Sequence, residues 1–390
     1  MSIEAQNTRV TLPFHETRHP GEQHQRIAWA LFLTSGALAV WVLFRADFWM
    51  WQYIILGLWY AGLMWFGLRW PSFRVLFLAV LAIGGIGVGL YQLGYTPDNS
   101  LALRYFFHSN AMFYWMSGAI ALSAVGYYLY LFLGREGAGR WGHRLAWVAV
   151  TLGFAGLAIR WQETYLGHPS WGHIPVSNLY DVMVLFCATT ILFYLFHEER
   201  TENRGLGAFV LPLVLVADIF LVWVGAAYHL NRIQPLIPAL QSFWMKIHVP
   251  AMFIAYANFY IAAMAGLAYL LKERAEQRGG FLQKRLPDLQ VLDSTISGTV
   301  MFGFLFFTAA TILGAVWAAK AWGGFWSWDP KESWALIVWL NYAGFLHARN
   351  QRHWRGRPMA WWAFTSLVVV TFCFIGVDLF LGGLHSYGKL

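Results

Sequence analysis

Between residues 322 and 334 the chain reads Trp-Gly-Gly-Phe-Trp-Ser-Trp-Asp-Pro-Lys-Glu-Ser-Trp, four tryptophans and three charged residues in a short link between two apolar runs. Single aromatic rings collect at a membrane–water boundary as depth anchors. Here the rings recur every few positions with glycines between them, a density suited to a flat aromatic platform for a large planar ligand. The charged residues also have a local use: Asp329 as N-cap, Pro330 at the first helical position and Glu332 at the third spell a capping box that opens the next helix. Two histidines border apolar runs, His248 in Trp244-Met-Lys-Ile-His248-Val-Pro250 and His385 in Gly382-Gly-Leu-His385-Ser. A third, His347, lies about thirteen residues beyond Trp334, or about 20 Å along the same helix.

What must position these groups is a membrane scaffold. Hydrophobic residues make up 58% of the chain and charged residues 12%, about half the charged share of a soluble protein. Apolar runs long enough to cross a bilayer, about 17 to 25 residues each, begin near Arg26, Phe48, Ser72, Asn110, Arg144, Ser177, Gly207, His248, Ser297, Ser333 and Met359. The expectation is an all-α polytopic integral membrane protein with about eleven transmembrane helices. The net charge of +8 does not point to a nucleic acid, because its basic residues alternate between connections: Arg69 and Arg74; Arg135, Arg140 and Arg144; Arg200 and Arg204; Lys272 to Arg285; Arg349 to Arg357. By the positive-inside rule those connections are cytoplasmic, which sets the N-terminus inside and the C-terminus outside. The polar first 25 residues lack the pattern of a signal peptide, so the first span is expected to stay in the mature protein.

This topology puts the tryptophan link, His248 and His385 on the outer face and His347 toward the cytoplasmic end. Two imidazoles beside an aromatic platform suit a planar macrocycle held by two axial ligands, which is haem. The remaining histidines divide into those in charged cytoplasmic segments and four in outer links, His108, His168, His173 and His229, which are surface or gating candidates. Cys187 and Cys373 lie within apolar spans, far from any metal-ligand spacing, and read as small buried hydrophobes. Within Gly84-Gly85-Ile-Gly87-Val-Gly89, the pair Gly85 and Gly89 matches a close-packing motif. The polar link from Gly94 to Ser109 divides the chain into residues 1–95, a cytoplasmic tail with an accessory three-helix bundle, and residues 96–390, an eight-helix core.

The run from Trp322 to Trp334, continued by Trp339-Leu-Asn341-Tyr342-Ala-Gly-Phe-Leu-His347-Ala-Arg349, resembles the tryptophan-rich WWD signature of haem-handling proteins. Within that group it is most similar to the CcsA (ResC) family, the haem-handling subunit of the system II cytochrome c synthase. The segment Ile174-Pro-Val-Ser-Asn178-Leu-Tyr180-Asp181 is similar to a family segment that usually has Glu where Asp181 stands. The resemblance covers about Asn110 to the C-terminus. It implies His248 and His385 as axial ligands of an outer haem, and His347 as a ligand of a second, inner haem whose other ligand comes from a CcsB (ResB) partner. It places Trp322, Trp326, Trp328, Asp329 and Trp334 at the reaction site, with Gly323, Phe325, Pro330, Glu332, Asn178 and Tyr180 also against the haem.

The implied reaction is holocytochrome c synthesis (haem lyase type) in a bacterial cytoplasmic membrane, attaching haem b to the CxxCH segment of an exported apocytochrome c. Arg104, Arg160 and Arg232 are candidates for the propionates. A haem exporter without attachment activity shares almost every feature. A membrane electron-transfer cytochrome b would need histidine pairs on facing helices, and a secondary transporter would show broken helices and binding groups at the midplane.

Overall fold

The computed structural model describes residues 20–46, 48–167 and 172–385. Thirteen α-helices follow one another among them: α1 (Pro20–Phe44), α2 (Met50–Arg69), α3 (Pro71–Gln92), α4 (Ser109–Leu133), α5 (Glu136–Gly167), α6 (Leu179–Thr201), α7 (Gly207–Ala227), α8 (Met245–Arg278), α9 (Phe281–Arg285), α10 (Leu289–Trp322), α11 (Pro330–Arg349), α12 (Arg357–Thr371) and α13 (Val377–Phe380). There is no strand among the described residues. The protein is therefore an all-α polytopic membrane protein, as its composition requires: in a bilayer the backbone must satisfy its own hydrogen bonds, and helices do so within one segment. The eleven apolar runs of the sequence correspond to α1 to α8 and α10 to α12. Among the described residues, nine of these helices are long and apolar enough to cross a membrane. The other two, α2 and α11, have 20 residues each and fall short in mean hydropathy. Tryptophan and tyrosine dilute α2, while Lys331, Glu332 and Asn341 dilute α11.

The chain divides into two compact units, Met1–Ala79 and Val80–Leu390. In the first, the buried Trp29 of α1 donates through Nε1 to the Leu63 carbonyl of α2 at 3.3 Å, and its ring meets Phe73 and Phe77 edge-on.

In the second unit α8 is the most enclosed helix. It packs along α10 and α12 and against α6, while α4 pairs with α5. Small residues make this possible: Ala255, Ala257, Ala262, Ala263, Ala265 and Ala268 are all fully buried on α8, and small side chains let helix backbones approach where no hydrophobic gain drives association. The glycine run on α3 behaves differently from its motif. Open space surrounds Gly85 and Gly89, whereas Gly84 and Gly87 lie against Ala158 and Ile159 of α5. The close-packed face is thus rotated from the GxxxG pair. The spacing identifies glycines that share a face, but the neighbouring helix selects which face is used.

One end of this unit gathers the C-terminal ends of α5, α7 and α10 with the N-terminal ends of α6, α8 and α11. After α12 the chain widens into a single π-helical turn at Phe372–Gly376 before α13, and it reaches His385 at the same end. Such turns free a backbone carbonyl and recur at functional sites.

Candidate functional site

The tryptophan link is held by its own helix ends. α10 stops at Trp322 because Gly323 takes a left-handed conformation, φ +82°, and its N–H donates to the Ala319 carbonyl at 3.1 Å. α11 starts with the capping box expected from the sequence, Asp329 as N-cap and Glu332 reaching back. Glu332 does more than cap. Its Oε2 accepts from the Ser327 N–H at 2.7 Å, the Ser327 hydroxyl at 3.2 Å and the Asp329 N–H at 3.2 Å. One buried carboxylate oxygen thus collects the donors of the link and fixes its path. Trp328 sits within that path at φ +60°, a region that costs a bulky residue about 1 kcal/mol or more and persists only where neighbours enforce it.

Both outer histidine candidates are anchored through the same ring atom. His248, in the first turn of α8, places Nδ1 at 2.7 Å from the Ala310 carbonyl of α10. A carbonyl only accepts, so Nδ1 carries the proton and Nε2 presents its lone pair. His385 places Nδ1 at 2.8 Å from Oδ2 of Asp329, with the same consequence. Asp329 also accepts from the Leu384 N–H at 2.5 Å and the Lys331 N–H at 3.1 Å, so the N-cap of α11 ties down the segment that carries His385. Burial holds the His385 imidazole below its ordinary pKa, against the upward pull of the Asp329 carboxylate, and keeps the ring neutral. Trp317 contacts both imidazoles. Its ring lies nearly parallel to His248, at 6.3 Å and 14°, and meets His385 edge-on at 5.5 Å.

A cavity of about 350 Å³ opens beside these rings, within the range of small-molecule sites. His248, His385, Trp317, Phe325 and Trp326 line it, together with Lys331 and Glu332. Asn178, Arg160, His173, Asp181 and Arg232 also line it, as do Tyr256, Cys373 and Phe374. Lys331 Nζ donates to Asp378 Oδ2 at 2.7 Å and to the Phe374 carbonyl at 2.9 Å, and so satisfies a carbonyl of the π-helical turn.

The remaining sequence candidates take other places. Trp322 packs on His385 at 4.8 Å and Trp334 on Phe372 at 4.3 Å. Trp328 is exposed. None of these three lines the cavity. Gly323 and Pro330 serve the helix ends, and Asp329 stands behind His385. Asn178 caps α6 by accepting from the Asp181 N–H at 2.8 Å. Tyr180 is buried beneath Arg160, whose guanidinium lies 5.3 Å from the ring centroid. Arg160 pairs with Asp181 at 2.6 Å and donates to the Asn231 carbonyl at 3.0 Å, which makes it a buried strut as well as wall. Arg104 turns to the Pro97 carbonyl, at 2.8 Å, outside the cavity. Arg232 is exposed, and no side-chain bond engages it among the described residues. His173 is in the wall, with Nε2 3.0 Å from the Ser177 hydroxyl. His108 caps α4, His229 is exposed at φ +56°, and His168 lies outside the described residues. His347 is exposed on α11 and does not line the cavity.

Residues 176–385 match the cytochrome C assembly protein family. The chain belongs to that family. Among its CcsA-type relatives, the cytochrome c biogenesis protein CcsA of Parasynechococcus marenigrum (strain WH8102) is 38% identical over 255 residues, covering 60% of this chain and 81% of the relative. The CcsA of Guillardia theta is 35% identical over 251 residues, with the same coverage. The fold is similar to that of a solved cytochrome c heme lyase, CcmF, with a TM-score of 0.52 and 18% identity. That likeness covers 69% of this chain and 48% of the CcmF chain, so the present chain spans about half of that structure. As a CcsA-type cytochrome c biogenesis protein the chain carries its family match from Val176 to His385. The match includes both anchored histidines, the tryptophan link and His347, and it leaves out α1 to α5.

Three contributors to the site go unmarked by any motif in the sequence: Trp317, Gly314 and the Ala310 carbonyl. They share a face of α10 at i, i+4 and i+7. That spacing is visible in the sequence, but inside an apolar span it reads as core packing.

Proposed function

We propose that this CcsA-type chain binds haem in the cavity, with His248 and His385 as axial ligands, and presents it at the outer face for attachment to apocytochrome c. The observation that carries this reading is the matched anchoring of the two imidazoles: each holds Nδ1–H on a fixed acceptor and leaves Nε2 free. Metal-ligating histidines are oriented in this way, by a carbonyl or carboxylate on the other ring nitrogen. Phe325 and Trp326 supply an aromatic wall for a macrocycle. Arg232 supplies a cation for a propionate, and Arg160 holds part of the wall in place. The residues present fit the group.

Haem is the substrate here. Attachment adds a cysteine S–H of CxxCH across each vinyl double bond: sulfur bonds to one carbon, the proton goes to the other, and no net electron is transferred. The chain's part is to bind, orient and exclude water, holding the plane while one edge stays accessible. The histidine of CxxCH then replaces one of the two imidazoles. Residues 96–390 form the haem-handling core and residues 1–95 the accessory bundle, in a bacterial cytoplasmic membrane with the cavity on the periplasmic side. His347, exposed on α11 toward the cytoplasmic end, serves as a ligand of haem on its way outward. Its partner ligand comes from a CcsB/ResB-like membrane protein, with which the chain acts as a holocytochrome c synthase.

The test is ligand replacement. His248→Gly and His385→Gly each open one coordination position and stop cytochrome c maturation, and added imidazole restores part of the haem spectrum and part of the product. If both variants keep the parent spectrum and still mature cytochrome c, the reading is wrong. Bound haem with parent export but no attachment in the parent protein would reduce the function to haem export.

A further inference from the structure

The His248 ring rests on an unusual piece of helix. Its Nδ1 donates to the Ala310 carbonyl at 2.7 Å, although that carbonyl lies within the continuous helix α10. For an imidazole to reach a carbonyl inside a helix, the side chain one turn further on must be out of the way. That position is Gly314. A Cβ at that position would stand 2.7 Å from Cε1 and 2.9 Å from Nδ1 of His248, closer than carbon atoms approach. One turn beyond, Trp317 lies almost parallel to the imidazole and is itself pinned by its Nε1–H on the Ala239 carbonyl at 2.9 Å. Trp317 is 3% exposed, so it has little freedom to move away.

We infer that Gly314, with the Ala310 carbonyl it uncovers and the Trp317 ring above it, is a positioning element that sets the orientation of the His248 imidazole toward the iron. This rests on the reading of His248 as an axial ligand and deepens it. The carbonyl fixes the tautomer and one point of the ring, the missing Cβ permits the approach, and the indole limits rotation about the remaining axis. Loss of an outer contact of this kind typically lowers metal affinity by about ten- to a hundredfold. α10 also contains its own control. A Cβ at Gly298 would meet nothing within 4 Å, so Gly298→Ala makes the same chemical change on the same helix without touching His248.

The experiment compares Gly314→Ala, Gly298→Ala, His248→Ala and the double variant Gly314→Ala/His248→Ala, each purified in detergent with its partner. Haem is titrated in, and the reduced and oxidised spectra are recorded. The expected result for Gly314→Ala is haem affinity reduced about ten- to a hundredfold, with part of the bound haem converted from low to high spin. Gly298→Ala keeps the parent values, and the double variant equals His248→Ala because no imidazole remains to be oriented. Should Gly314→Ala fail to accumulate, Trp317→Leu removes the indole without adding volume and shows a smaller shift in the same direction. If His248→Ala changes the spectrum while Gly314→Ala and Trp317→Leu both match the parent, the positioning role is overturned and the ligand assignment stands. A parent spectrum in His248→Ala overturns the ligand assignment first.

Discussion

Asp329→Asn isolates the most heavily used side chain of the site. Its Oδ2 accepts from both the Lys331 N–H and His385 Nδ1, and its Oδ1 accepts from the Leu384 N–H. Asparagine is as good an N-cap as aspartate, so α11 keeps its start. The amide, however, has only one acceptor atom. With that oxygen on the side shared by Lys331 and His385, the NH2 faces the Leu384 N–H, donor against donor. Leu384 is exposed, so its N–H can turn to water at little cost, while the bond to His385 drops from charge-assisted to neutral, a loss of roughly 1 kcal/mol. A loss of about 1 kcal/mol is roughly fivefold in the population of His385 held in place. Haem titration of the purified variant, followed by its absorption, reads this directly as weaker binding. A parent affinity together with a parent spectrum would refute the idea that Asp329 orients His385.

Burial keeps His385 below its ordinary pKa. Its contribution to holding the folded site is therefore present above about pH 6.5 and is lost only as pH falls through the lowered value. Haem affinity stays level from about pH 8 to below pH 6.5 and declines only as pH falls through that lowered value. Asp329→Asn removes an upward influence, so the acid limb moves to lower pH, and an upward move in a pH titration would contradict the assignment. Trp326→Ala removes a wall of the cavity and lowers haem occupancy, whereas Trp334→Ala, which loses only packing on Phe372, costs on the order of 2 kcal/mol of stability and leaves the spectrum of bound haem unchanged. Thermal unfolding and absorption spectra separate the two, and a changed spectrum in Trp334→Ala returns that ring to the haem site. Reporter fusions after Lys284 and Arg357 read cytoplasmic and a fusion after Trp322 reads external. An external reading after Arg357 invalidates the placement of the cavity on the outer face.

The features legible in the sequence are those that depend on composition or on neighbours in the chain. A charged share of 12% and repeated apolar runs require membrane helices, because only internally bonded backbone is tolerated in a bilayer. The capping box at Asp329 and Glu332 forms as written, since its hydrogen bonds close within a single helical turn. The tryptophan run identifies the family for the same reason: it is a contiguous string. The site itself is made from groups far apart in sequence. His248 meets a carbonyl 62 residues away, and His385 meets a carboxylate 56 residues away. Helical periodicity shows which residues share a face but not which helix that face adjoins. The packing of α8 on α10 therefore decides that Gly314 lies under an imidazole and that Trp317 rather than Trp334 touches both histidines. The packing of α3 on α5 likewise decides that Gly84 and Gly87, rather than Gly85 and Gly89, carry the close contact. The bare carbonyl of Ala310 has no side-chain signature at all, and only the tertiary structure could reveal it as the anchor of a candidate ligand.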